Sequence, residues 1–215
     1  METANMKGIP AMSPPVVHDY IRDLGRAWTG QGTAMEVGCW LGATSAALLE
    51  GLVEAGYDRT YWGFDRWQAN EAEARKAAEQ GVNIGVGQNL QPMFMKNVKA
   101  RYEAIQAVRG NIPRTLNFYS PAEPIEICMF DAPKRNPTFI DSINMLLPHF
   151  IPGVTVLGLL DYHFYISRRD DQQKEDWEKF LAPVNFIRKY KENFELMAEF
   201  PNDGSCAFFK YLKPI

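Results

Sequence analysis

The sequence is poor in cysteine and histidine, with three of each among 215 residues. Cys39, Cys128 and Cys206 form an odd set, include no C-x-x-C pair, and each stands in an apolar stretch. That pattern favours reduced, buried thiols over a disulfide framework or a zinc site. Long hydrophobic runs are missing too, since none nears the roughly 18–20 apolar residues of a membrane-spanning helix. The first fifteen residues hold no apolar run, so they read as neither signal peptide nor anchor. The expected location is the cytoplasm, with no membrane partner. Charge of one sign is also scarce: the net value is −3, which leaves no footprint for a nucleic-acid partner. The basic clusters are short. Lys96, Lys99 and Arg101 fall in one expected helix, and Arg188, Lys189 and Lys191 in another, both as solvated faces.

What is present is an ordinary globular mixture, 46% hydrophobic and 23% charged. A chain of this length builds one core, and no repeat, linker or low-complexity segment divides it. One domain over 1–215 is expected, with 1–30 as an N-terminal helical extension. Pro14 and Pro15 open that helix, which runs to about Trp28. Strands are predicted over Thr33–Gly38, Thr60–Asp65, Ala104–Arg109, Ile125–Phe130 and Val154–Leu160. Helices are predicted over Ala43–Ala55, Asn70–Gln80, Leu90–Arg101, Arg114–Tyr119, Thr138–Leu147 and Asp170–Phe180. Pro92 fits the first turn of its helix. Phe194–Phe200 and Cys206–Leu212 flank Asn202-Asp203-Gly204-Ser205, a hairpin signal. Strands alternating with helices imply a doubly wound, mostly parallel sheet, and the hairpin adds an antiparallel strand at its end.

The turn after the first strand carries the strongest chemical signal. Its glycines let backbone approach a ligand, and the next helix presents free N–H groups. The spacing is G-x-x-x-G rather than G-x-G-x-x-G, and no G-K-[ST] follows. Both facts count against a P-loop and against an NAD-binding oxidoreductase. The stretch from Met35 to Ser45, read as E-x-G-x-x-x-G-x-[ST], resembles motif I of the class I S-adenosylmethionine-dependent methyltransferases. The resemblance implies a Rossmann-like, seven-stranded, mostly parallel sheet with an antiparallel C-terminal hairpin. It also implies that Glu36, Gly38 and Gly42 frame the methionine end of S-adenosylmethionine, with Thr44 or Ser45 near its carboxylate. Asp65, ending strand two, takes the position that grips the ribose hydroxyls. Gly110 and Asn111 take the one bordering adenine, and Trp40 and Trp67 are expected as further cofactor contacts.

Two acids end the central strands: Asp131 after Met129-Phe130, and Asp161 after Leu159-Leu160. Carboxylates converging in one cleft call for a cation or a proton, and hard oxygen ligands favour Mg²⁺ or Ca²⁺ over zinc. Here the chain resembles two families, the metal-dependent catechol and caffeoyl-CoA O-methyltransferases and the macrocin-type sugar O-methyltransferases. Asp131 and Lys134 match the D-x-x-K of the first; Asp161 and Tyr162 match the last two positions of the D-D-Y of the second. The resemblance implies Asp131 and Asp161 as magnesium ligands, with Lys134 near a substrate hydroxyl. The chain departs from both families, with Tyr162 in place of Asn and Leu160 in place of the first Asp.

The expected activity is methyl transfer to a small-molecule hydroxyl, of a sugar or a phenol. Asp131 stands at the reacting centre, and the base is either Lys134, by family position, or His163, by its unperturbed pKa. Tyr162, Phe164 and Tyr165 are candidates for the acceptor wall, while His18 and His149 read as surface residues. The relatives are often homodimers. Rival readings are a hydroxylase or lyase that binds the same cofactor, and a non-catalytic interaction domain; paired acids beside Lys134 and His163 disfavour the last.

Overall fold

The computed structural model describes residues 8–119, 123–132, 134–166, 177–202 and 204–215. Seven strands form a single sheet: β1 (Thr33–Val37), β2 (Tyr61–Asp65), β3 (Ile105–Arg109), β4 (Ile125–Phe130), β5 (Val156–Leu159), β6 (Phe194–Phe200) and β7 (Cys206–Tyr211). Their order is β3-β2-β1-β4-β5-β7-β6. All pairs from β3 to β5 are parallel, and β7 runs antiparallel to both β5 and β6. The predicted Rossmann-like sheet with its antiparallel hairpin is what the chain adopts.

Alternation along the central strands explains why helices cover both faces. In β4, Ile127 and Met129 face one apolar core while Cys128 and Phe130 face the other. Cys206 and Phe208 of β7 divide from Ala207 and Phe209 in the same way. A strand buried on both sides must be covered on both sides. The first face takes α1 (Pro15–Arg26), α2 (Ala43–Glu54) and α4 (Gln91–Lys99), through Val17, Leu48 and Phe94. The second takes α5 (Thr138–Leu146) and α6 (Ala182–Lys189), through Phe139, Ile143 and Phe186. The short α3 (Glu71–Ala78) follows β2.

Pro15 and Pro92 occupy first-turn positions of α1 and α4, where a missing N–H costs nothing. Gly56, at φ +80°, ends α2. All three cysteines are free and buried. Among the described residues, no helix is long and apolar enough to cross a membrane.

Some local expectations differ from the structure. β5 is shorter than Val154–Leu160, because Thr155 closes a turn onto Ile151: its N–H donates to the Ile151 carbonyl and its hydroxyl accepts from the Ile151 N–H. His18 is buried in the α1 packing, not at the surface, and burial lowers its pKa. Arg188 and Lys189 do lie on a helix, α6, whereas Lys191 falls in the turn beyond it. Of the helix predicted over Asp170–Phe180, residues 170–176 lie outside the described ones, and Trp177–Phe180 is a 3-10 turn.

Candidate functional site

The carboxyl ends of β1 to β4 open onto a cleft of about 390 Å³, within the range of about 300–1,000 Å³ typical of small-molecule sites. It lies where the chain leaves β1 for one side of the sheet and β4 for the other, the crevice in which open α/β sheets bind ligands. Its floor is the turn after β1. Gly38 has φ +100°, and a Cβ there would overlap the backbone of Ala132. Gly42, at φ +89°, precedes the first turn of α2, and a Cβ would press to 2.9 Å from the Phe94 ring. Only glycine satisfies both the torsion and the space at these two positions.

Between and beside them stand two tryptophans in the same left-handed region, Trp40 at φ 44° and Trp67 at φ 43°. Such a conformation costs a non-glycine residue about 1–2 kcal/mol. Asp65, at the end of β2, offsets it. One carboxylate oxygen accepts the Trp40 N–H at 2.9 Å and the other the Trp67 N–H at 2.6 Å. Hydrogen bonds to a charged group contribute about 1.5–3 kcal/mol each, enough to hold both turns. The Trp67 indole N–H closes the loop by donating to the Trp40 carbonyl at 3.0 Å. Trp67 is fully buried against Phe94, so it supports the cleft from beneath and does not line it.

Glu36 and Ser45 also lie under the cleft. The Ser45 hydroxyl donates to the Glu36 carboxylate, the Tyr61 hydroxyl reaches it at 3.4 Å, and the Tyr61 hydroxyl donates to Ser45 at 2.9 Å. Burial pushes the Glu36 carboxyl up to about 8; the Ser45 bond pulls the other way and the Asp65 charge adds to the rise. Of the two hydroxyls expected near a ligand carboxylate, that of Ser45 is thus committed to the core. Thr44 is half-buried in the first turn of α2 and does not line the cleft. Gly38, Trp40, Asp65, Gly110 and Asn111 do line it. Gly110 needs its φ of +152°, and a Cβ there would come within 2.7 Å of Thr115.

Seven lining residues were not among the expected site residues: Met12, Arg66, Asn70, Glu73, Ile112, Ala132 and Thr138. Asn70 and Glu73 form the capping box of α3, each side chain accepting the other's backbone N–H. The N-x-x-E pattern was a visible helix-start signal, but nothing in it tells that the cap faces a cleft. Met12 arrives from a segment held by Gln80, which accepts the Ala11 N–H at 2.8 Å and donates to its carbonyl at 3.0 Å.

The far end of the cleft is lined by Asp131 and Lys134. The Lys134 ammonium is paired with Asp161, lies 4.0 Å from Asp131, and sits 4.9 Å from the centre of the Phe164 ring. Burial and the neighbouring Asp161 charge hold the Asp131 carboxyl well above the usual carboxylate range, although Lys134 opposes this. Burial pulls the Lys134 pKa down, but the charges of Asp131 and Asp161 outweigh it and leave it raised. Lys134 is therefore an ammonium at neutral pH and not a free base. Asp161 stands behind this pair and does not line the cleft. His163 does not line it either. Its ring Nε2 lies 3.3 Å from Glu199 of β6, and its backbone N–H donates to the Ser205 carbonyl.

The residues present do not fit a magnesium ion. Among the described residues, no group of three or more His, Cys, Asp or Glu side chains could hold a metal. The two carboxylates already share one ammonium. At about 4 Å, with an effective dielectric of about 20, each unit of like charge repels by about 4 kcal/mol, so a divalent ion would have to displace Lys134.

No family model matches the chain, and no curated protein matches it. Solved structures do. Cofactor-bound Rv0187 from MTB aligns over 97% of this chain and 84% of its own, with TM-score 0.64 and 15% identity. The O-methyltransferase NovP aligns over 92% and 80%, with TM-score 0.63 and 15% identity. The O-methyltransferase TomG of Streptomyces achromogenes, involved in tomaymycin synthesis and solved with S-adenosylmethionine, aligns over 93% and 81%, with TM-score 0.53 and 17% identity. The chain shares their fold. The TomG structure holds S-adenosylmethionine, the compound that the resemblance to motif I implied for this cleft.

Proposed function

We propose that this chain is an S-adenosylmethionine-dependent methyltransferase acting on the hydroxyl of a small molecule, a sugar or a phenol. One observation carries the reading. A single cleft joins a glycine turn and a strand-two carboxylate at one end to an acid and an ammonium at the other. The O-methyltransferases NovP and TomG, with the same fold, support it.

When bound, S-adenosylmethionine supplies a methyl group activated by its sulfonium. The chain's own residues do the rest. Each oxygen of Asp65 spends one lone pair on a tryptophan N–H and keeps another for ribose hydroxyls. Gly38 and Trp40 border the cofactor's amino-acid end, and Gly110 and Asn111 border adenine. At the acceptor end, Asp131 takes the hydroxyl proton, and the Lys134 ammonium stabilises the negative charge forming on that oxygen. Alignment of the two reactants supplies the remainder of the rate. His163 does not line the cleft and is given no role in the transfer.

Isothermal titration with S-adenosylmethionine and S-adenosylhomocysteine tests the cofactor. The expected result is one site per chain, and absence of heat and of thermal shift at millimolar ligand would defeat the reading. With a panel of sugars and phenols, mass spectrometry is expected to show a gain of one methyl group together with S-adenosylhomocysteine.

A further inference from the structure

The acid pair at the ends of β4 and β5 invites a divalent ion, yet the surroundings supply something else. Two carboxylates completed by water hold such an ion only weakly, and a tight site needs further protein oxygens. The side chains flanking Asp161 provide none: Leu160 is apolar and buried, and the Tyr162 ring is packed edge-on between Phe209, at 5.2 Å, and His163, at 4.9 Å. The cation is already there. Lys134 follows Asp131 by three residues, so the turn after β4 carries an acid and an ammonium on neighbouring backbone. It delivers the ammonium between Asp131 and the Asp161 carboxylate. The face of Phe164 lies beneath the ammonium and holds it in that place.

We infer that the Lys134 ammonium is the resident cation of this site, filling the seat between Asp131 and Asp161, excluding a divalent ion, and making the reaction metal-independent. The position in the reaction rests on the methyltransferase reading; the occupancy of the seat does not. One protein-borne charge then serves two ends. It neutralises the acids in the resting chain, and it faces the acceptor oxygen when charge develops there.

The test is a titration of the full chain with Mn²⁺, followed by the paramagnetic resonance of the free ion, without cofactor or acceptor. The wild type is expected to bind Mn²⁺ no more tightly than about 1 mM. Lys134→Met, which keeps the side chain's length and removes its charge, is expected to take up one equivalent at least about tenfold more tightly. Adding Asp161→Asn should abolish that gain, and Lys134→Arg should exclude Mn²⁺ as the wild type does. The inference is overturned if the wild type binds one equivalent as tightly as Lys134→Met, or if a folded Lys134→Met binds none. Should Lys134→Met fail to fold by circular dichroism, Lys134→Gln takes its place under the same criteria. Because the readout involves no methyl transfer, failure here and failure of the cofactor titration are separate results.

Discussion

The two ends of the cleft are built on different principles. At the proposed cofactor end, backbone does the positioning. Glycines 38 and 42 adopt torsions closed to other residues, and Asp65 ties two tryptophan N–H groups into a loop closed by the Trp67 indole. At the proposed acceptor end, charge does it. Asp131, Lys134 and Asp161 hold one another by charge. The lesson is a division of labour. A shared cofactor needs a rigid, prepaid shape, whereas a reacting oxygen needs a field that is strongest where charge will form.

Substitutions at each end should therefore fail differently. The largest effect is expected at the charged end: Asp131→Asn should lower turnover by about 100-fold or more while cofactor affinity stays within a few-fold. Steady-state kinetics beside cofactor titration separates the two, and unchanged turnover would remove Asp131 from the chemistry. A smaller and opposite pattern is expected for Asp65→Asn, which keeps the shape but puts an amide where one tryptophan N–H needs an acceptor. Cofactor binding should weaken by about tenfold, or about 1.4 kcal/mol, with saturated turnover little changed. A turnover defect as large as that of Asp131→Asn would erase the contrast between the ends.

The smallest effect on activity belongs to Glu36, under the turn. Its carboxyl sits at about 8 in the fold, against 4.5 when free. Between those values the folded chain holds a proton that the unfolded chain has released, so stability falls as pH rises through this window. The contribution is complete below about 4.5 and lost as pH passes about 8. The slope is at most about 1.4 kcal/mol per pH unit. Glu36→Gln cannot ionise, and its melting temperature should vary less with pH across the same window. Parallel curves for variant and wild type would show that Glu36 is already ionised within the fold.

Most of the fold was legible because each strand announced itself in local pattern: apolar runs ended by glycine or acid, and a turn signal between β6 and β7. The bounds of β4 and β6 coincide with those predicted, and those of β1 and β2 differ by one residue. α6 was given no bounds beyond the helix expected around Arg188 and Lys189; it spans only eight residues, with Pro183 in its first turn. In the cleft, Gly38, Asp65, Asp131 and Lys134 were legible from their places at strand ends, and the structure brings all four to one cleft. His163 was not: standing two residues after Asp161 says nothing of the direction its ring takes, and the hairpin supplies Glu199 as its partner.

Sequence alone determined the order of elements, the two-faced burial of the central strands, and the glycine turn after β1, because these depend on local pattern. Ala132 and Phe94, which close the space at Gly38 and Gly42, arrive only in the fold. Tertiary structure alone decided which polar groups meet. Ser45 turned inward to Glu36, Trp67 became a prop beneath the cleft, and Met12 came to its rim across a long stretch of chain. The same is true of the cation. Two acids thirty residues apart in sequence state a need for positive charge, and only the meeting of β4 and β5 shows that Lys134 answers it.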